Sequence, residues 1–161
     1  MSRKWVVNAS PLILLTKVSH ISLLQELCDE LVIPGGVAKE ILIGPANDLT
    51  KIWLNEKGSP LIRDLEQVDP VVAGWDLGLG ESQVISWAYK NPDFEAILDD
   101  RAARKCALSL KIPVRGTVGV ILLAKKDGRL AKATPLLNQL IQVGFRIDPE
   151  LIRTALRLAK E

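Results

Sequence analysis

Histidine and cysteine are almost missing from this chain: His20 is the only histidine, and Cys28 and Cys106 are the only cysteines. A tetrahedral zinc site needs several such ligands and a Ser-His-Asp triad needs a placed imidazole, so both chemistries find little support. The two cysteines form no motif, and isolated thiols of this kind fit a reducing, cytoplasmic setting. Aromatic residues are only 4% of the chain, and the four tryptophans (Trp5, Trp53, Trp75, Trp87) read as core or interface anchors rather than as a base-stacking platform. No apolar run approaches the roughly 18 residues of a membrane span, and the apolar stretch after Met1-Ser2-Arg3-Lys4 breaks at Asn8, too early for a signal peptide. There is no Gly-Lys-Ser/Thr phosphate loop. Gly78-Leu79-Gly80 lacks the third glycine and the preceding strand of a dinucleotide fingerprint. Asn8-Ala9-Ser10 also lacks the paired acids that a phosphoaspartate hydrolase places after its first strand.

What is present suits one ordinary globule. The 161 residues are 48% hydrophobic and 25% charged, and are expected to form a single domain over 1–161. A net charge of +2 conceals an asymmetry. From Arg101 to Lys132 there are nine basic residues against the single acid Asp127, a local +8 that leaves −6 for the rest. Such a stretch is either a phosphate-tracking surface or a set of solvated helix faces.

Short apolar strands alternate with helices. Val6-Val7, Leu31-Val32-Ile33, Leu61-Ile62, Ala96-Ile97-Leu98 and Pro113-Val114 read as strands. Helices are expected at Leu12–Val18, started by Ser10-Pro11, and at Ser22–Leu27, Val37–Ile43 and Ala46–Glu56. Others are expected at Gly80–Lys90, Arg101–Leu110, Val118–Lys126 and Lys132–Val143, and a last one is capped by Asp148 with Pro149 in its first turn. Asp69–Leu79 reads as a loop or short helix and Phe145–Ile147 as extended. Nearly all-apolar strands alternating with helices predict a parallel sheet covered on both faces, a three-layer α/β/α architecture. Its ligand crevice lies beyond the carboxyl ends of the strands.

Carboxylates stand out against this pattern. Glu81 falls in line with Val84, Ile85 and Ala88, and Glu40 with Val37, Ile41 and Gly44, the i, i+3, i+4, i+7 rows of core-facing helices. Asp99-Asp100 closes an apolar strand, as Asn8 closes another. Burying an unpaired carboxylate costs several kcal/mol or forces it to take up a proton. Acids that converge need a shared partner, and a hard divalent cation, Mg2+ or Mn2+, suits an all-oxygen donor set.

Val7-Asn8-Ala9-Ser10-Pro11-Leu12-Ile13 is similar to the opening of PIN-domain proteins, especially a VapC-like prokaryotic branch. Pro34–Glu40, Leu79-Gly80-Glu81, Leu98-Asp99-Asp100-Arg101 with Arg104, Gly116-Thr117-Val118-Gly119, Lys125–Gly128 and Gly144–Ile147 resemble that branch in order and spacing. The resemblance implies a metal-dependent endoribonuclease of cytoplasmic location, commonly the toxin of a toxin–antitoxin pair. An RNA substrate and an antitoxin partner follow from it. The apolar residues of the last helix (Leu151, Ile152, Ala155, Leu156, Leu158, Ala159) cover more than one narrow stripe. That suits packing on the sheet and, in its excess width, a homodimer seam or an antitoxin helix. The resemblance further implies that Asn8, Glu40, Glu81 and the Asp99-Asp100 pair hold one or two ions, Asp100 sharing strand parity with Ala96 and Leu98. Ser10 would orient the first ligand, and Arg101 and Thr117 would border the substrate. Asn8 departs from the wider family's Asp, removing one formal charge, and predicts a weak or manganese-favouring nuclease. The competing expectation is a catalytically impaired PIN-like domain that binds RNA or a protein.

Overall fold

The computed structural model describes residues 2–161, and its core is a five-stranded sheet in which every pairing is parallel. The strands are β1 (Lys4–Val7), β2 (Glu30–Pro34), β3 (Ile62–Arg63), β4 (Phe94–Ile97) and β5 (Val114–Arg115), in the order β3-β2-β1-β4-β5. Trp5, Val6 and Val7 of β1 and Ala96 and Ile97 of β4 are fully buried, as strands covered on both faces must be. The register pairs Val6 with Val32 on one side and with Ala96 on the other.

Two groups of helices cover the sheet and make the three-layer α/β/α fold. One contains α1 (Ala9–Lys17), α2 (Ser22–Leu27), α8 (Thr117–Lys126), α9 (Thr134–Gln142) and α10 (Pro149–Leu158). The other contains α3 (Gly35–Leu42), α6 (Leu79–Lys90) and α7 (Arg101–Ser109). The short α4 (Leu49–Trp53) continues into a wider π-helical turn over Leu54–Gly58, and α5 (Pro70–Ala73) precedes α6. No helix among the described residues is long and apolar enough to cross a membrane.

The chain crosses from β3 at one edge to β4 on the far side of β1, so the order of strands reverses beside β1. A crevice forms at such a switch point, past the carboxyl ends of the strands. Here that places it over Asn8 and the segment after Ile97, which are tied together by the Asn8 N–H donating to the Ile97 carbonyl at 3.1 Å.

Several local expectations change. Helix α1 begins at Ala9, so Asn8 and not Ser10 is its N-cap, and Pro11 sits in the third helical position. The capping residue is already the last one that β1 can spare. Phe145–Ile147, expected as extended chain, lies in neither a helix nor a strand and leads into α10. Of the tryptophans, Trp5 and Trp53 are buried, Trp87 is half-buried with its ring edge-on to Phe94, and Trp75 is exposed.

Candidate active site

Asn8 carries the least satisfied polar atom at the crevice. Its side chain is 5% exposed, it makes no cap hydrogen bond to α1, and its Oδ1 is buried without a partner. An asparagine at an N-cap ordinarily spends that oxygen on the second or third helical amide. Leaving an acceptor buried and unpaired costs about 1–3 kcal/mol. The oxygen is therefore held where a donor or a cation would be welcome.

Glu81 comes to the same place from α6. As the third residue of that helix it accepts from the Gly78 N–H at 3.3 Å, one half of a capping box. The other half is missing because Gly78 has no side chain to return the bond. Burial raises the Glu81 pKa above its ordinary value, and the Asp100 charge raises it further, with Glu40 adding to both. The Gly78 amide and the Asn8 side chain pull the other way. Asn8 and the Asp99-Asp100 pair follow the neighbouring strands β1 and β4 at one end of the sheet, and Glu81 carries the influence of both Asn8 and Asp100.

Glu40 reaches the start of α6 from α3, its Oε1 accepting from the Gly80 N–H at 3.2 Å. Gly80 makes the approach possible: a Cβ there would lie 2.5 Å from Glu40 Oε1 and 3.2 Å from Val37 Cγ2. Gln83 fixes the same helix pair, its Oε1 accepting from the Gly36 N–H at 2.6 Å. Periodicity selected Glu81 but passed over Gln83 two residues later, since a polar residue on a half-buried flank has no pattern of its own. Gly80 was visible as the start of a helix and within the Leu79-Gly80-Glu81 motif, but nothing in the sequence showed that it makes room for Glu40.

The neighbouring aspartates divide their work. Asp100 is exposed and caps α7, its Oδ2 accepting from the Ala103 N–H at 2.9 Å. Asp99 is half-buried and faces α8: Oδ1 accepts from the Thr117 N–H at 2.8 Å, and Oδ2 accepts from Thr117 Oγ1 at 2.6 Å and Ser10 Oγ at 3.1 Å. Ser10 thus bonds Asp99, not the Asn8 side chain it was expected to orient. Strand parity does not decide between the pair, because β4 ends at Ile97 and Asp100 already has the backbone of a helix cap. Arg101, the first residue of α7, is exposed.

The expectation that these acids are buried is corrected. Glu40 and Asp100 are exposed, and Glu81 and Asp99 are half-buried. Val84, Ile85 and Ala88 of the Glu81 row do reach the core, but Glu81 stands one turn higher, past the end of the sheet. Among the described residues no three Asp, Glu, His or Cys side chains meet as a ready-made chelate. Equally, none of Glu40, Glu81, Asp99 and Asp100 is in an ion pair among those residues. Each is held by a backbone amide instead, which leaves the negative charge uncompensated.

Comparison with curated proteins and with solved structures gave no significant match. A family model described as a PIN domain matches residues 4–161, which takes in all five strands and every residue of the crevice. On that match the chain belongs to the PIN-domain family, whose members are generally nucleases.

Proposed function

We propose that the chain is a divalent-metal-dependent endoribonuclease whose ion, Mg2+ or Mn2+, is held by Asn8, Glu81 and Asp100 with Glu40 beside them. The observation that carries this reading is the unpartnered Asn8 Oδ1 among carboxylates that make no ion pair among the described residues. An all-oxygen donor set of one amide and several carboxylates suits a hard ion, and an ion that keeps several waters does not require three carboxylates in a tight ring. A bound ion of this kind lowers the pKa of its water and neutralises charge on a phosphodiester.

The chain's own residues supply the rest. Asn8 offers a neutral oxygen already stripped of water, so its desolvation is met in folding rather than in binding. Glu81, with its raised pKa, is the carboxylate whose ionisation gains most from a neighbouring positive charge. Asp100 has one oxygen committed to the Ala103 amide and the other free, and Glu40 is similarly held by Gly80. Asp99 takes no open position: with three hydrogen bonds it joins α1 to α8 and fixes the floor from which Asp100 projects. Ser10 and Thr117 support Asp99, and Arg101 at the mouth of α7 is placed to meet a substrate phosphate.

Within this reading the chain is the toxin of a VapC-like pair, with an antitoxin partner and a homodimer seam over the outward Leu151 and Leu158 of α10, 48% and 70% exposed. The support is the motif series from Val7 to Ile147. Expression of the wild-type chain should arrest growth and cleave RNA when Mn2+ is supplied, and Glu81→Gln should abolish both. A second reading, an RNA- or protein-binding domain without catalysis, is favoured by the amide at position 8 and the open arrangement of acids. RNA binding with no metal-dependent cleavage by either form would establish that reading instead.

A further inference from the structure

Asp99 also lines a groove of about 520 Å³ between β5, α7, α8 and the segment leading into α10. Three arginines border it: Arg104, Arg115 and Arg146. We propose that this groove binds a backbone phosphate of the RNA strand next to the scissile one, and so sets the path of the substrate across the protein. The proposal rests on the reading of the chain as a ribonuclease and adds the direction in which the strand leaves the acid cluster.

Two of the arginines are fixed before any ligand arrives. Arg104 donates through Nη1 to the Leu98 carbonyl at 2.9 Å, which leaves most of its five N–H donors free. Arg115 is ion-paired through Nε with Glu95 at 3.1 Å and lies 6.0 Å from the Trp5 ring centroid, so its stem is fixed while its terminal nitrogens make no hydrogen bond among the described residues. A guanidinium held in this way loses little freedom on forming a forked pair with phosphate. Arg146 is exposed and makes no ion pair among the described residues.

The groove's own acids offset part of this charge. Glu95 pairs with Arg115 and also accepts from the Trp5 indole N–H at 2.9 Å. Asp99, held by Ser10 and Thr117, keeps its negative charge. Three arginines against two acids leave a net positive charge of one, with Arg146 the arginine that is exposed and outside any ion pair among the described residues. Gly116 lets Arg104 and Asp99 come close to the backbone inside the groove: a Cβ there would lie 2.9 Å from Arg104 Nη1 and 3.1 Å from Asp99 Oδ1. Asp99 and Asp100 are adjacent residues facing different sites, so a strand with one phosphate at the acid cluster can set the next against the arginines. Part of the basic excess between Arg101 and Lys132 thereby gains a location and a purpose.

The test uses the full chain in EDTA, so that metal plays no part, with a labelled single-stranded oligoribonucleotide of mixed sequence titrated at several salt concentrations. Arg146→Ala, which disturbs no contact, and Arg115→Ala, checked for an unchanged melting temperature, are expected to weaken binding about threefold to tenfold each. Each should also flatten the plot of log affinity against log salt by roughly 0.7, the amount for one phosphate on a single strand. Lys57→Ala, in the turn before β3 at the opposite edge of the sheet, should change neither. Unchanged affinity and slope in both arginine variants, or an equal loss in Lys57→Ala, would overturn the groove. So would a wild-type chain that binds no RNA while retaining an acidic protein partner through Arg146. Because metal is absent, a failed catalytic reading leaves this result intact, and Mn2+-induced stabilisation of the arginine variants reports on the acid cluster separately.

Discussion

Two glutamates show what a carboxylate in this protein is for. Glu161, just after α10, accepts from the Ala133 N–H at 2.8 Å, the Thr134 N–H at 3.0 Å and the Thr134 hydroxyl, and pairs with Lys125 at 2.7 Å. The Lys125 ion pair and these donors push its pKa well below the ordinary carboxylate range. Glu81 has one amide donor, no lysine or arginine, and two acidic neighbours, and its pKa moves up. The first glutamate is spent on fastening α9 and α10 to α8. The second makes no ion pair among the described residues, and under the proposed function its charge is met by a cation from solution.

The sharpest way to break the contrast is to remove each charge in turn. Glu81→Gln should reduce Mn2+-dependent RNA cleavage by at least about 100-fold, read as initial rates on a labelled RNA, while the folded structure remains. Asn8→Asp restores a formal charge at the crevice and should tighten Mn2+ about tenfold and raise cleavage with it. If both stay at the wild-type level, Asn8 is not a ligand. Gly80→Ala should loosen α3 from α6 and weaken Mn2+ several-fold, because a methyl group there meets the Glu40 carboxylate. A Gly80→Ala variant with wild-type affinity would show that Glu40 stands outside the site. Glu161→Gln should lower the melting temperature by a few degrees and leave cleavage per folded molecule alone.

The smallest effect is on pH dependence, and its sign differs between the two residues. A raised Glu81 pKa means that the folded chain binds more protons than the unfolded one just above 4.5, so its contribution to stability falls as pH rises through that window. A depressed Glu161 pKa contributes stability above 4.5 that is lost as pH falls toward its folded value. In metal-free buffer, Glu81→Gln should therefore flatten the decline of stability above pH 4.5. A profile identical to wild type would show that Glu81 is not strained.

Much of the scaffold was legible because apolar runs in covered strands have few other uses. Leu31-Val32-Ile33 and Ala96-Ile97 read directly as buried strands, and Asp148-Pro149 opens α10 as read, the Asp148 carboxylate accepting from the Glu150 N–H at 2.9 Å. Residues at the ends of elements were harder. Asp99 and Asp100 look equivalent in sequence, and only the start of α7 separates a helix cap from a carboxylate locked onto Thr117. Glu40 fits an apolar stripe yet is exposed, because its position is set by the junction of α3 with α6 and not by its own helix. The turn at Leu54–Gly58 is a tertiary outcome that local pattern does not encode.

The central claim is that the uncompensated charge around Asn8, Glu81 and Asp100 binds one divalent cation, and a thermal melt under Mn2+ titration tests it most directly. The account predicts a melting temperature that climbs by several degrees once Mn2+ reaches about 100 times its dissociation constant, corresponding to about 2.7 kcal/mol, with no climb for Glu81→Gln. A wild-type melt indifferent to Mn2+, or an equal rise in both proteins, would contradict it.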